Sequence, residues 1–234
     1  MSEEKKETPV SAEIKSEQKQ GEKVYSLIDG IKAAKKGAKQ RKFVQSWDFS
    51  INLKGLDLKK PENRFSTGFA LPYGRGKDIK VAVFADSLAA EAKDAADLII
   101  KKNEIEDLVK NRRKLKKIIK EYEWFLSEVS LLPTIVKSMG SVLGPRGKVP
   151  KPIPPNVKLK PMIAAAKKTI RIVLRETPVI HIVIGNEKMP EEQVAANAEA
   201  VFNFVKEKLP KGLNNIRNVY IKLTMGPSVK VNMK

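Results

Sequence analysis

A mixed α/β (α+β) fold is what this chain of 234 residues predicts, on three observations. Trp47, Phe49, Ile51 and Leu53 alternate with Asp48, Ser50 and Asn52, the pattern of a strand with one buried face. DIKVAVFAD (78–86) is a continuous apolar run of the kind a strand covered on both faces shows, and strand-like and helical stretches alternate after it. Towards the C-terminus two β-rich runs precede a long helical stretch and a final strand. The length allows one large domain or two modest ones.

In order along the chain, residues 1–24 are Glu, Lys, Gln and Ser with almost no large apolar side chains, and read as a flexible tail. Residues 25–40 suit an amphipathic helix with Leu27, Ile28, Ile31 and Ala34 on one side. The strand at 47–53 follows, then the loop GLDLKKPENRF and the buried strand within 78–86. Residues 87–96 read as helical and 97–101 as a short strand. Asn103 and Glu106 suit the start of a helix over 104–121 that turns Ile105, Leu108, Leu115, Ile118 and Ile119 inward. A short helix after Pro133 ends at Gly140 or Gly144. LGPRGKVPKPIPPNVKLKP (143–161) holds five cations, six prolines and no acid, and reads as a stiff extended loop rather than a packed element. A helical stretch covers 162–168. IRIVLR and VIHIVIG, separated by Glu176, Thr177 and Pro178, suit a hairpin. A helix at 190–208 has Glu191 and Glu192 in its first turn, where the helix dipole favours them. NVYIKLTMG and PSVKVNMK close the chain.

Charge narrows the function. The formal net charge is +19, and residues 1–24, with five Lys and six Glu, contribute −1, so the basic surplus lies in the body of the protein. The natural counter-surface is a polyanion, nucleic acid first and acidic membrane second. Cys is absent and His181 stands alone, which removes thiol nucleophiles, Cys-based zinc sites and His clusters. No apolar run approaches the ~18 residues of a membrane span. The N-terminus has no apolar core of a secretory signal, so a cytoplasmic protein is expected, with no cofactor and no membrane partner.

Two glycine–lysine loops, LPYGRGKD (71–78) and GPRGKVP (144–150), both lack the P-loop spacing, with Asp78 and Val149 where the magnesium-binding hydroxyl belongs. They are turns, or contacts for an anion, rather than nucleotide-hydrolysing loops. His181 sits among apolar neighbours and reads as a satisfied or strand-edge histidine rather than a base. The basic residues fall into three clusters. These are Lys35, Lys36, Lys39, Arg41 and Lys42; then Lys110, Arg112, Arg113, Lys114, Lys116, Lys117 and Lys120; then Arg146, Lys148, Lys151, Lys158 and Lys160. One such cluster is commonly a solvated face, whereas three at this net charge favour polyanion binding. Phe43, directly after the first cluster, is placed to stack on a base or sugar, or else to be buried under the strand.

LTMGPSVKVN (223–232) and GSVLGPRGKVPKP (140–152) resemble the universal family of large-subunit ribosomal proteins that sit on the mobile stalk beside the exit-tRNA site. RKFVQSWDF (41–49) and LPYGRGKDIKVAVFA (71–85) are similar to two further blocks of that family, in the same order. The resemblance covers roughly 25–232, and departures such as Val149 fit its archaeal or eukaryotic branch better than the bacterial one.

The resemblance implies two α/β domains. Both chain ends, 25–68 with 159–234, build the first, and a small α/β second domain, 69–158, is inserted between hinges near 67–70 and 156–160. It implies that the first domain grips a folded site on large-subunit rRNA, and that many members bind a mimic of that site on their own mRNA and repress their own translation. The family's RNA-contacting positions fall on Lys42, Phe43 and Ser46, and on Thr224, Met225 and Gly226, with Asn218 and Lys222 on the same strand. Thr offers a hydroxyl, Gly permits close backbone approach, and Met and Phe pack on sugar or base faces. Arg146 and Lys148 then form a basic loop facing tRNA at the exit site. The alternative of the same fold is a ribosome-assembly factor, and an enzyme is a distant third.

Overall fold

Ser46–Leu53 carries the alternation its sequence predicts: Trp47, Phe49, Ile51 and Leu53 are buried and the residues between them half-exposed. It is an interior strand in a computed structural model that describes residues 24–86, 88, 92, 96–154 and 159–233. Most of the expected tail, most of the helix expected over 87–96, Lys158 and much of the second hinge lie outside the described residues. In chain order the elements are β1 (Val24–Tyr25), α1 (Leu27–Gly37), β2 (Ser46–Leu53), β3 (Phe65–Ala70), β4 (Val81–Phe84) and β5 (Leu98–Ile100). Then come α2 (Lys102–Lys110), α3 (Arg112–Glu121), β6 (Trp124–Glu128), α4 (Leu132–Leu143), β7 (Lys151–Ile153) and α5 (Leu159–Lys168). The chain ends with β8 (Thr169–Leu174), β9 (Val179–Asn186), α6 (Glu191–Lys208), β10 (Ile216–Leu223) and β11 (Val229–Val231).

A five-stranded sheet runs β1-β11-β10-β2-β9, so β2 and β10 are neighbours, paired antiparallel. One face is apolar. Phe49, Ile51, Ile182, Ile184, Val219 and Ile221 pack there with Ile31 and Ala34 of α1 and Val194, Ala198, Val201 and Val205 of α6. The other face is polar and half-exposed, the usual division in an antiparallel sheet. Ser26 caps α1, its hydroxyl accepting from Asp29 N at 3.3 Å. Ile28 falls off the buried side and is exposed, unlike Leu27, Ile31 and Ala34.

A second, four-stranded sheet is parallel throughout, in the order β5-β4-β6-β7. β4 is buried along its whole length, as its continuous apolar run predicts. Its alternate residues serve two layers. Ala82, Phe84 and Phe125 face Ile105, Leu115, Ile119, Ile135 and Met139, while Val81, Val83, Trp124 and Leu126 face Ile79, Leu159 and Ile163.

The structure corrects four expectations. The helix predicted over 104–121 is two helices, broken at Asn111, whose ψ of 80° is not helical and whose Oδ1 accepts from Lys114 N to start α3. The first of them begins at Lys102 rather than with an Asn103 cap, and Glu104, not Glu106, closes it by accepting from Lys101 N. Residues 151–153 are a packed edge strand, not part of a stiff extended loop. Ile153 is buried, and Pro152 is tolerated because an edge strand can lack one donor. The runs at 170–175 and 179–185 do not pair as a hairpin: β8 pairs with β3 and β9 with β2. β3 supplies the partner that a hairpin would otherwise have provided.

Candidate RNA-binding surface

Beyond the last β2–β10 pair, Trp47 with Leu223, the two strands stay locked together. Thr224 N donates to Ser46 O at 3.0 Å, and the Thr224 hydroxyl donates to the same oxygen while accepting from Ser46 N, both at 3.1 Å. The proton of that hydroxyl is therefore spent inside the protein, and only an acceptor lone pair remains for a ligand. Gly226 N closes the turn onto Leu223 O at 2.8 Å. A Cβ on Gly226 would lie 3.2 Å from Ala38 Cβ and 3.3 Å from Leu223 Cβ, so any larger residue would have to push this turn a few tenths of an ångström from the end of α1.

Gln45, absent from the sequence expectations, is the residue that joins these pieces. It is 0% exposed. Its Oε1 accepts from Met225 N at 3.1 Å and its Nε2 donates to Lys39 O at 3.3 Å, while its backbone exchanges hydrogen bonds with Glu187. A lone polar residue just before a strand carries no signal of this role, because its partner Met225 is 180 residues away.

The frame holds apolar side chains outward. Phe43 is 53% exposed and Met225 57%, with Val44 and the cations Arg41 and Lys42 also exposed. Of the eight positions carried by the resemblance, the structure gathers Lys42, Phe43, Ser46, Thr224, Met225 and Gly226 around this one sheet end. Lys222 is the neighbour on the polar sheet face, opposite Asp48. Asn218 is farther off, about 20 Å from Thr224 at the rise of a strand, and its amide donates to the Tyr220 hydroxyl at 3.4 Å. On the same face burial raises the Asp48 carboxyl above its usual range, against the lowering pull of Lys222 and then His181. His181 Nδ1 lies 2.9 Å from Ser50 Oγ, on the edge strand β9.

Arg146 and Lys148 lie elsewhere, on the turn after α4. Arg146 is exposed, and its carbonyl accepts from Arg171 Nη1 at 3.4 Å. Lys148 is half-buried and donates to Ile119 O and Tyr122 O, each at 2.6 Å, at the C-terminal end of α3. Burial lowers its pKa, with Arg146 and Arg171 adding to the effect and Glu123 opposing it. Gly147 has a φ of 67°, and Arg171 Nη1 occupies the space a side chain there would need. Lys151 Nζ sits 4.3 Å from the Trp124 ring centroid and Arg171 Cζ 5.4 Å from it, two cation–π contacts to one ring.

Between the sheet end and the parallel sheet lies a cleft of about 920 Å³ whose walls include Val44, Ser46, Asn186, Arg75 and Lys80. It is bridged by Asn186 Nδ2 donating to Gly76 O at 2.6 Å. Beside that bridge are the ion pairs of Arg75 with Glu123 and of Lys80 with Glu121. Gly74, Gly76 and Gly147 all have positive φ, so both glycine–lysine loops are built as turns. Among the described residues no group of three His, Cys, Asp or Glu could hold a metal ion, and no helix is long and apolar enough to cross a membrane.

Comparison with known proteins adds the family. The profile of the ribosomal protein L1p/L10e family matches residues 32–227. The large ribosomal subunit protein uL1 of Methanocaldococcus jannaschii is 47% identical over 207 residues, covering 88% of this chain and 94% of the relative. The proteins of that name from Methanothermobacter thermautotrophicus and Pyrococcus horikoshii are 44% and 46% identical over the same length, covering 98% and 94% of the relatives.

Proposed function

The chain belongs to the ribosomal protein L1p/L10e family and is a component of the large ribosomal subunit, of archaeal type, and on that premise we propose that it binds large-subunit rRNA through the sheet end that carries Phe43 and Met225. The observation behind this reading is the exposure of those two apolar side chains on a frame stapled by Gln45 and Thr224. Large apolar groups held rigidly outward, next to cations, suit sugars and base faces beside phosphates. Lys42 supplies charge, Ser46 and the free lone pair of Thr224 supply polar contacts, and Gly226 lets the turn sit close. Lys222 and Asn218 extend the contact along the polar face of the sheet.

The work is divided between two domains, 25–68 with 159–234 as the rRNA anchor and 69–158 as an insert. The insert turns Arg146 towards tRNA at the exit site and assists its release, with Lys148 behind the turn. A cargo recognised regardless of sequence calls for phosphate contacts rather than base readout. A mimic of the rRNA site on the protein's own mRNA would occupy the same sheet end and repress translation. The reading belongs to a structural protein of the cytoplasmic ribosome, not an enzyme.

The test is the affinity of Phe43→Ala and Met225→Ala for a large-subunit rRNA fragment. Each is expected to weaken binding by about tenfold, as loss of a stacked contact does, without changing the salt dependence. Unchanged affinity in both variants rejects the site.

A further inference from the structure

We propose that residues 9–15 of this same chain dock in the groove at the far end of the five-stranded sheet, with Val10 and Ile14 on its apolar floor. The groove has two adjoining parts, of about 200 and 430 Å³, lined in common by Phe202, Asn232 and Met233. Val24 and Leu213 line the first part and Ile28 the second. Its walls include Ile216 and Arg217, at the opposite end of β10 from Leu223 and Thr224, so the proposal is independent of the rRNA site.

The core does not account for the apolar side chains at this groove. Val24 is 55% exposed and Ile28 48%, although Leu27 and Ile31 beside them are buried. A polyanion gains little here, because the floor is apolar and Arg217 and Lys230 are opposed by Glu199. A short segment with two apolar side chains and one charge of each sign matches the lining. Burying such side chains against apolar surface is the usual fate of exposed groups of this size.

Two kinds of observation choose the chain's own segment as the occupant. Residues 1–23 lie outside the described residues and join the fold at Val24, on the wall of the groove itself. Ile14 stands ten positions before Val24, a stretch that spans up to about 33 Å when extended, enough to turn back over the groove. Apart from Met1, Val10 and Ile14 are the only large apolar side chains before Val24, and their spacing of four suits one face of a helical turn. Glu13 and Lys15 flank Ile14. They complement Arg217 and Glu199, which are exposed and form no ion pair among the described residues. Charge and tethering point the same way. A second copy of a chain with net charge +19 is repelled, whereas a tethered segment is present at an effective concentration of about 1 mM. Docked, residues 9–15 strap the start of α1 to Met233, which joins the two ends of the described chain.

The experiment uses the full chain, isotopically labelled for NMR. Cys is absent, so Ala12→Cys supplies a single site for a nitroxide. The amide signals of Phe202, Leu213 and Met233, all distant from residue 12 in sequence, should lose intensity, while those of Lys42, Phe43 and Met225 keep theirs. Adding Val10→Asp and Ile14→Asp should restore the groove signals and lower the thermal midpoint by about 2–8 °C, the effect of losing one or two apolar contacts in a chain of this size. Broadening that survives the two aspartates overturns the proposal, as does an unchanged midpoint. Broadening centred on Lys42, Phe43 and Met225 overturns it in favour of a segment lying over the RNA end. In a mixture of nitroxide-bearing unlabelled chains with isotopically labelled chains lacking the nitroxide, the groove signals should be unaffected. Their loss there overturns the assignment to the chain's own segment in favour of a second copy.

Discussion

Replacing Gln45 by alanine separates the frame of the proposed rRNA site from the groups it presents. The substitution keeps the backbone bonds to Glu187 but deletes an acceptor for Met225 N and a donor to Lys39 O. Two hydrogen bonds are worth about 1 kcal/mol each, and leaving their partners partly buried and unpaired adds to the loss, so the expected cost is about 2–4 kcal/mol. In a chain of this size each kcal/mol moves the thermal midpoint by about 2–4 °C, which predicts a fall of about 4–16 °C. Binding is then measured well below both midpoints, where the variant is folded. The account predicts about a tenfold further loss of rRNA affinity, or about 1.4 kcal/mol, because the 224–226 turn no longer holds Met225 in place. Adding Met225→Ala to Gln45→Ala should then cost much less than it does in the wild type, since neighbours sharing a contact are not additive. A stability loss of the expected size with rRNA affinity within about twofold would refute the claim that this frame is what organises the site.

Three further outcomes can be checked. Burial raises the Asp48 pKa, so the folded state binds the proton more tightly than the unfolded one, and stability falls as pH rises from the ordinary carboxylate value through the raised one. Asp48→Asn should flatten that part of the pH profile in urea titrations, and an unchanged slope would show that the shift is not felt. Lys148→Met removes the ammonium from the carbonyls of Ile119 and Tyr122; it should destabilise by about 1–3 kcal/mol yet change the salt slope of rRNA binding by less than one phosphate's worth. The segments 25–68 and 159–234, joined by a short linker, should fold and bind the rRNA fragment nearly as well as the full chain. Comparable affinity from 69–158 alone would contradict the proposed division of labour.

The legible parts of this fold were those whose own periodicity reports their surroundings. β2 announced its buried face through Trp47, Phe49, Ile51 and Leu53, and β4 its burial on both sides through an unbroken apolar run. β3, β6 and β7 gave no such signal. β6 is five residues long and buries Ser127 and Glu128 along with its apolar residues, so no polar alternation marks it. β7 contains Pro152, which reads as a loop until β6 is known to lie on one side only. The break at Asn111 was hidden because the apolar positions 105, 108, 115 and 119 keep helical phase across it. Of the proposed site, the residues that project outward lie within the motifs that carry the family resemblance. The groups that hold them were not, because Gln45 and Lys148 act on backbone atoms brought near by folding, and their local sequence has no feature that encodes those partners.

The most direct test of the central claim is a hydroxyl-radical footprint of the full chain on large-subunit rRNA, run with the wild type and with Phe43→Ala/Met225→Ala. The account predicts one compact protected region with the wild type, lost in the double variant and retained when only the Lys116, Lys117, Lys120 and Arg146 charges are removed. Protection that survives the double variant and disappears with those charges would contradict it, because the rRNA would then be held by the cations of α3 and the turn after α4 and not by the sheet end.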